Sequence, residues 1–198
     1  MIGRTETLRS LTGAWRLFLN QPDALRSFDT GVDGFWRSFQ AIVLVAPSYA
    51  VAALADRATF ADQISAGTFS EAGFWATKAV SLAADWVALP ILLALIAGFI
   101  GIRQAYPAYI TVRNWATVLM TLPFAAIALV QVLGVGQDLL FIPSVAALAF
   151  SLRFGYLIAR RTLNVGVDVA IGLVVLDWLV SLAVVMLIGR ATGYAMFG

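Results

Sequence analysis

Five stretches of this chain are apolar for long enough to cross a lipid bilayer: Phe35 to Leu54, Ala79 to Ile102, Tyr109 to Leu133, Leu139 to Ala159 and Val167 to Gly189. At a rise of about 1.5 Å per residue, roughly twenty residues match the ~30 Å hydrocarbon layer. No other property of the sequence restricts the fold as strongly. The composition agrees, with 61% hydrophobic and only 12% charged residues and a mean hydropathy of +0.89. Pro47, Pro90, Pro123 and Pro143 fall in or near these runs. Membrane helices tolerate proline where neighbours satisfy the freed carbonyls, so kinked and closely packed helices are expected.

The positive charges give the orientation. With the N-terminus cytoplasmic, Arg4, Arg9, Arg16, Arg26, Arg37, Arg103, Arg113, Arg160 and Arg161 lie inside and only Arg57, Lys78 and Arg190 outside, while Arg153 falls within a span. That asymmetry satisfies the positive-inside rule, and the inverted arrangement violates it. The opening forty residues lack a compact apolar segment followed by a small-residue cleavage site, so no signal peptide is expected. The segment "TLRSLTGAWRLFLN" instead carries Leu8, Leu11, Trp15, Phe18 and Leu19 at helical spacing with Arg9 and Arg16 beside that stripe. Two readings fit: a helix lying in the cytoplasmic interface with its arginines on anionic headgroups, or one packed on the protein's own cytoplasmic ends. Gln21-Pro22-Asp23 ends this helix, and Pro22 can start a short one over "DALRSF".

The expected architecture is an all-α integral membrane protein: a cytoplasmic amphipathic segment over residues 1–34, five transmembrane helices over 35–189, and a short external tail over 190–198. The external loop "DRATFADQISAGTFSEAGFWATK" mixes acids with Phe60, Ile64, Phe69, Phe74 and Trp75, which suits a loop resting on the outer interface. The third and fourth spans, joined only by "GVGQD", must be antiparallel neighbours.

Small residues mark candidate packing faces. Ala147, Ser151 and Gly155 fall four apart on the fourth span, and Thr117, Thr121 and Ala125 do so on the third, so the two faces can meet across the hairpin. Arg153 points away from that face with Ala146, Ala149, Tyr156 and Arg160, which makes the fourth helix either central or the one that meets a partner.

Asp177 is the residue that most needs explaining. A charge near a helix centre costs about 2.5–3.5 kcal/mol on the insertion scale, a cost the many Leu, Ile and Val residues of the fifth span outweigh. Its carboxylate must face protein or water, and Gly166, Ala170 and Ser181 share its face. Arg153, at a similar depth on the fourth span, is the leading partner, and an Asp177–Arg153 ion pair accounts for both residues. The functional alternative makes Asp177 a proton or cation site. Asp85 is read as solvated near the outer interface, two turns inside it, with Lys78 snorkelling outward; a transport role is its alternative. Arg113 and Asn114, beside Trp115, are read as interface anchors, and Asp168 as a complement to the dipole of the fifth helix.

Cysteine and histidine are absent. Thiolate nucleophiles, histidine bases and thiolate or imidazole metal ligands are therefore excluded. No phosphate-binding glycine loop, metal cluster or nucleophile elbow is present. The expectation is no catalytic residue, no metal and no cofactor.

The layout resembles the Ypt-interacting-protein (Yip domain) family. The resemblance rests on "RLFLNQPDALRSFD", similar to that family's cytoplasmic proline followed by a short phenylalanine-containing helix, and on "FWRSFQA" leading into the first of five spans. It implies an all-helical, non-enzymatic membrane protein with a cytoplasmic N-terminus. The long polar N-terminal domain of the trafficking members is missing, which departs from their role as partners of small GTPases. A composition rich in alanine and arginine with a single lysine leans towards a bacterium of high genomic G+C. The combined expectation is a bacterial inner-membrane accessory or interaction subunit. Its partners would be anionic lipids on the cytoplasmic side and another membrane protein or a second copy, with no nucleic acid. The rival is a small oligomeric transporter or channel built on Asp177.

Overall fold

A computed structural model describes residues 3–67 and 70–193, and among these residues there is helix and no strand. Helix α1 spans Arg4–Phe18, and a 3-10 turn at Ala24–Ser27 leads to α2, Val32–Ser38. A second 3-10 turn, Phe39–Ala41, joins α2 to α3, Ile42–Thr59, so that Val32–Ala58 is one continuous apolar segment. The short α4, Ala61–Ser65, precedes α5, Glu71–Ile96. Helices α6, Tyr106–Val132, α7, Gln137–Leu163, and α8, Val167–Thr192, complete the chain. Five helical segments are long and apolar enough to cross a membrane, as the sequence leads one to expect.

The boundaries differ most at α5. It begins at Glu71 rather than Ala79 and stops at Ile96 rather than Ile102. The Ser70 hydroxyl accepts from the Gly73 amide and caps the new N-terminus, while Gly101, at φ +73°, turns the chain beyond the C-terminus. Much of the expected external loop is thus helix. Phe69 and residues 194–198 of the expected tail lie outside the described residues.

The hub of the bundle is α6 and not α7. Helices α1, α2, α3 and α7 all pack on it, whereas α5 packs chiefly on α8. Residues Tyr109 to Ala116 of α6 are buried without interruption, which requires neighbours on every face. By contrast, only 6% of the most apolar stretch of α8 is buried, so this helix lies at the periphery. Large apolar side chains point outward around the bundle, among them Leu95, Phe99, Leu139, Ile142 and Leu187. Single exposed residues of this kind are ordinary, but a continuous coat of them suits a hydrocarbon surrounding.

Helix α1 docks on α6 and α7 with Ser10, Ala14 and Leu17 buried, and its Gly13 packs on the Ala24–Ser27 turn. Gly13 permits this approach of the chain, since a Cβ there would come within 2.5 Å of the Ser27 Cβ. Phe18 packs against Phe150 and Phe154 of α7, with centroid separations of 4.5 and 5.4 Å. Leu8, Trp15 and Leu19 remain exposed on the other side. The helix therefore packs on the protein and still presents an apolar row outward, with Arg9 exposed and Arg16 donating to Gln21.

At the far end of α3, Arg57 forms a bidentate ion pair with Glu71, at 2.7 and 2.8 Å, and Lys78 pairs with Asp56 at 2.6 Å. The Arg57 pair is solvent-exposed and screened. Arg57→Ala should leave the melting temperature within about 2 °C of wild type, because exposed pairs contribute little; a larger fall in a thermal melt would mean that this pair clamps α3 to α5.

Candidate functional site

Asp177 is paired with Arg113, and the expected Asp177–Arg153 pair does not form. The Arg113 Nη2 donates to Asp177 Oδ1 at 2.6 Å and Nε to Oδ2 at 3.3 Å, a two-pronged contact between α6 and α8. Arg113 stands seven residues after Tyr106, ~10 Å into α6, and Asp177 ten residues after Val167, ~15 Å into α8. The pair thus sits well inside the bundle. Arg153 is exposed and reaches the other way: its Nη1 donates to the Phe18 carbonyl at 2.7 Å, with the guanidinium 4.5 Å from the Phe18 ring. The last carbonyls of α1 lack intrahelical partners, which explains why a cation is drawn there.

Arg113 and Asn114 are also not interface anchors. Both are buried, and Trp115 beside them is a core residue, because α1 and α2 cover this end of α6. Asn114 Nδ2 donates to Ser38 Oγ at 3.0 Å, and that hydroxyl donates to the Phe35 carbonyl. This link from α6 to α2 had no signal in the sequence beyond a serine two residues after Trp36.

Asp85 joins the same cluster. It lies fourteen residues after Glu71, ~21 Å along α5, rather than two turns inside the outer boundary. Lys78, its expected companion, is held by Asp56. Asp85 lies within electrostatic reach of Arg113 and Asp177, with the Ser181 hydroxyl beside its carboxylate. Its Oδ1 is buried with no hydrogen-bond partner. The Asn114 Oδ1 is in the same condition. Buried acceptors are rarely left so, which makes both atoms candidate contact points for something further.

These groups line one open-sided pocket of about 400 Å³. Asp85, Arg113 and Asp177 form its polar side, joined by Thr117, Thr121, Ser151 and Ser181, while Phe124, Trp178, Leu182 and Val185 are exposed apolar walls. The two expected small-residue faces are therefore only partly seams. Helices α6 and α7 do lie along each other, and Ala147 is buried, but Thr117, Thr121 and Ser151 look into the pocket. Gly155 faces α8, where a Cβ would meet Val174 Cγ2 at 3.3 Å. Ala125 is half-buried further along α6.

With all three groups ionised, two carboxylates and one guanidinium leave one negative charge. Arg113 matches Asp177, and the charge left over is that of Asp85. Among the described residues, no three carboxylates gather closely enough to hold a metal ion. Arg160, the remaining candidate, lies at the end of α7, where its Nη1 donates to the Val165 carbonyl. No family model, curated protein sequence or solved structure matches the chain, so the chemistry of this site is read from its geometry.

Proposed function

We propose that the chain is a multi-pass, non-enzymatic membrane protein with a cytoplasmic N-terminus that binds a monovalent cation inside the span, as a small carrier does. The observation that carries this reading is the unpartnered Asp85 oxygen in a pocket whose remaining lining is hydroxyls, apolar walls and the mutually neutralised Arg113–Asp177 pair. Intramembrane ionisable groups are costly and characteristically serve substrate or proton pathways. A few convergent polar groups on an apolar wall, in about 400 Å³, suit a small organic cation. The rings of Trp178 and Phe124 add an attractive face for such a charge.

Tetraphenylphosphonium is a suitable probe. Titrated into the protein in lipid nanodiscs, it should bind saturably and quench Trp178, and Asp85→Asn, which keeps the shape and removes the charge, should abolish saturation. Equal binding by wild type and Asp85→Asn would overturn the proposal.

A second reading, an accessory subunit that meets another membrane protein or a second copy, or organises lipid, is supported by the outward row Leu8, Trp15 and Leu19 with Val32 and Trp36 nearby in the chain. The Yip-domain resemblance and a bacterial inner-membrane location belong to the proposal in either form. Native mass spectrometry in mild detergent separates the two, since an accessory role requires a second polypeptide or a homo-oligomer and a lone chain argues against it.

A further inference from the structure

We propose that the pocket at the C-terminal end of α7 binds a phosphate group. It shares no residue with the cation pocket and does not depend on it. Its volume is about 390 Å³, and it is lined by Asn20, Tyr156, Leu157, Arg160, Arg161 and Asn164. Five of the six side chains are polar, two carry full positive charge, and none is acidic. This is the donor chemistry that a phosphoryl group needs: guanidinium forks, carboxamides and a phenol around one space.

The site is braced. Arg161 Nε and Nη2 both donate to Asn20 Oδ1, at 3.0 and 2.6 Å, and Arg160 Nη1 donates to the Val165 carbonyl. Each brace ties an arginine of α7 to a neighbouring turn: Asn20 follows α1 at φ 58°, and Asn164 ends α7 at φ 51°. Asparagine tolerates this left-handed backbone better than most residues, so both corners can close while keeping a carboxamide on the pocket. The two cations also offset the partial negative charge of the α7 C-terminus, which would otherwise repel an anion. The two nearest acids along the chain do not line the pocket: Asp23 pairs with Arg26, and Asp168 sits on the first turn of α8 with its side chain against Gly166. Arg16 and Arg153 lie around the same corner, bonded to Gln21 and to the Phe18 carbonyl, and add to the positive potential.

Two sources supply such a group, the headgroup of an anionic phospholipid and a soluble phosphorylated molecule, and the position at the end of a span admits both. The experiment uses the full chain. In one arm, phosphatidylglycerol doped into phosphatidylcholine nanodiscs is scored as protein-bound lipid by native mass spectrometry; in the other, inorganic pyrophosphate is titrated into the protein in pure phosphatidylcholine discs. Wild type should bind at least one probe, and R160Q/R161Q should weaken that binding about tenfold or more, the loss expected for charge-assisted contacts. Retention of phosphatidylglycerol alone identifies a lipid site, and saturable pyrophosphate binding identifies a soluble ligand. Because both arginines also brace turns, Y156F, which leaves the braces intact, decides the matter if R160Q/R161Q melts early: it should weaken the same probe at an unchanged melting temperature. Failure of wild type to bind either probe, or binding unaltered in R160Q/R161Q, or in Y156F where that variant decides, overturns the proposal.

Discussion

Arg113→Gln should lower the unfolding free energy by about 3 kcal/mol, because it strands Asp177 inside the bundle. The side chains involved are only 10% and 24% exposed, so solvent cannot take over the role of the lost partner. The pair as a whole need not be stabilising: removing both charges at once with Arg113→Met and Asp177→Leu should recover most of the loss, since an apolar pair of similar volume avoids the desolvation penalty. Chemical unfolding of wild type, Arg113→Met, Asp177→Leu and the double variant closes a double-mutant cycle that reads the coupling directly. If Arg113→Gln and the double variant were equally stable, Asp177 would have found another partner or become protonated at no cost. Arg153→Gln should have a much smaller effect on stability, as it removes only a contact at the exposed end of α1.

Phe154→Ala should cost about 3–5 kcal/mol, the range for emptying a fully buried aromatic site. Phe154 is completely buried and packs against both Phe18 and Phe150, so its loss opens a cavity under α1. The damage should be local first. Trypsin should cleave after Arg9 or Arg16 faster in this variant than in wild type, at denaturant concentrations where the spans still hold. Global unfolding with no earlier cleavage would show that α1 and the bundle open together.

The spans were legible in the sequence because hydropathy over roughly twenty residues is a direct record of the surrounding solvent. The polar cluster was not, and α5 shows why. Hydropathy places its N-terminus at Ala79, after Lys78, but the cap at Ser70 adds two turns of mixed composition before it. That shift alone moves Asp85 from an apparent interface to the depth of Asp177. The error on Arg113 has a related cause: α6 starts at Tyr106 and is covered by α1 and α2, so a residue that looks like a surface anchor is inside. Depth alone favours Arg153 as the partner of Asp177, and depth cannot tell which helix stands across from which. Pairing between helices is tertiary information, set here by α6 acting as the hub and α8 lying against α5 and α7. The small-residue faces close only partly into seams, because small polar side chains leave room as readily as they fill it.

The order in which these helices meet has a consequence for biosynthesis. Helix α5 packs chiefly on α8, the fifth of the five apolar segments in chain order, and has little contact with α6, the next one after it. During synthesis, Asp85 and then Arg113 are made before the carboxylate that completes their cluster, which comes only with Asp177. A chain stopped before α8 would leave the Arg113 guanidinium without the carboxylate that pairs with it. Closure of the bundle and formation of the pocket therefore wait for α8, and Asp85 and Arg113 remain an unfinished cluster until that helix docks.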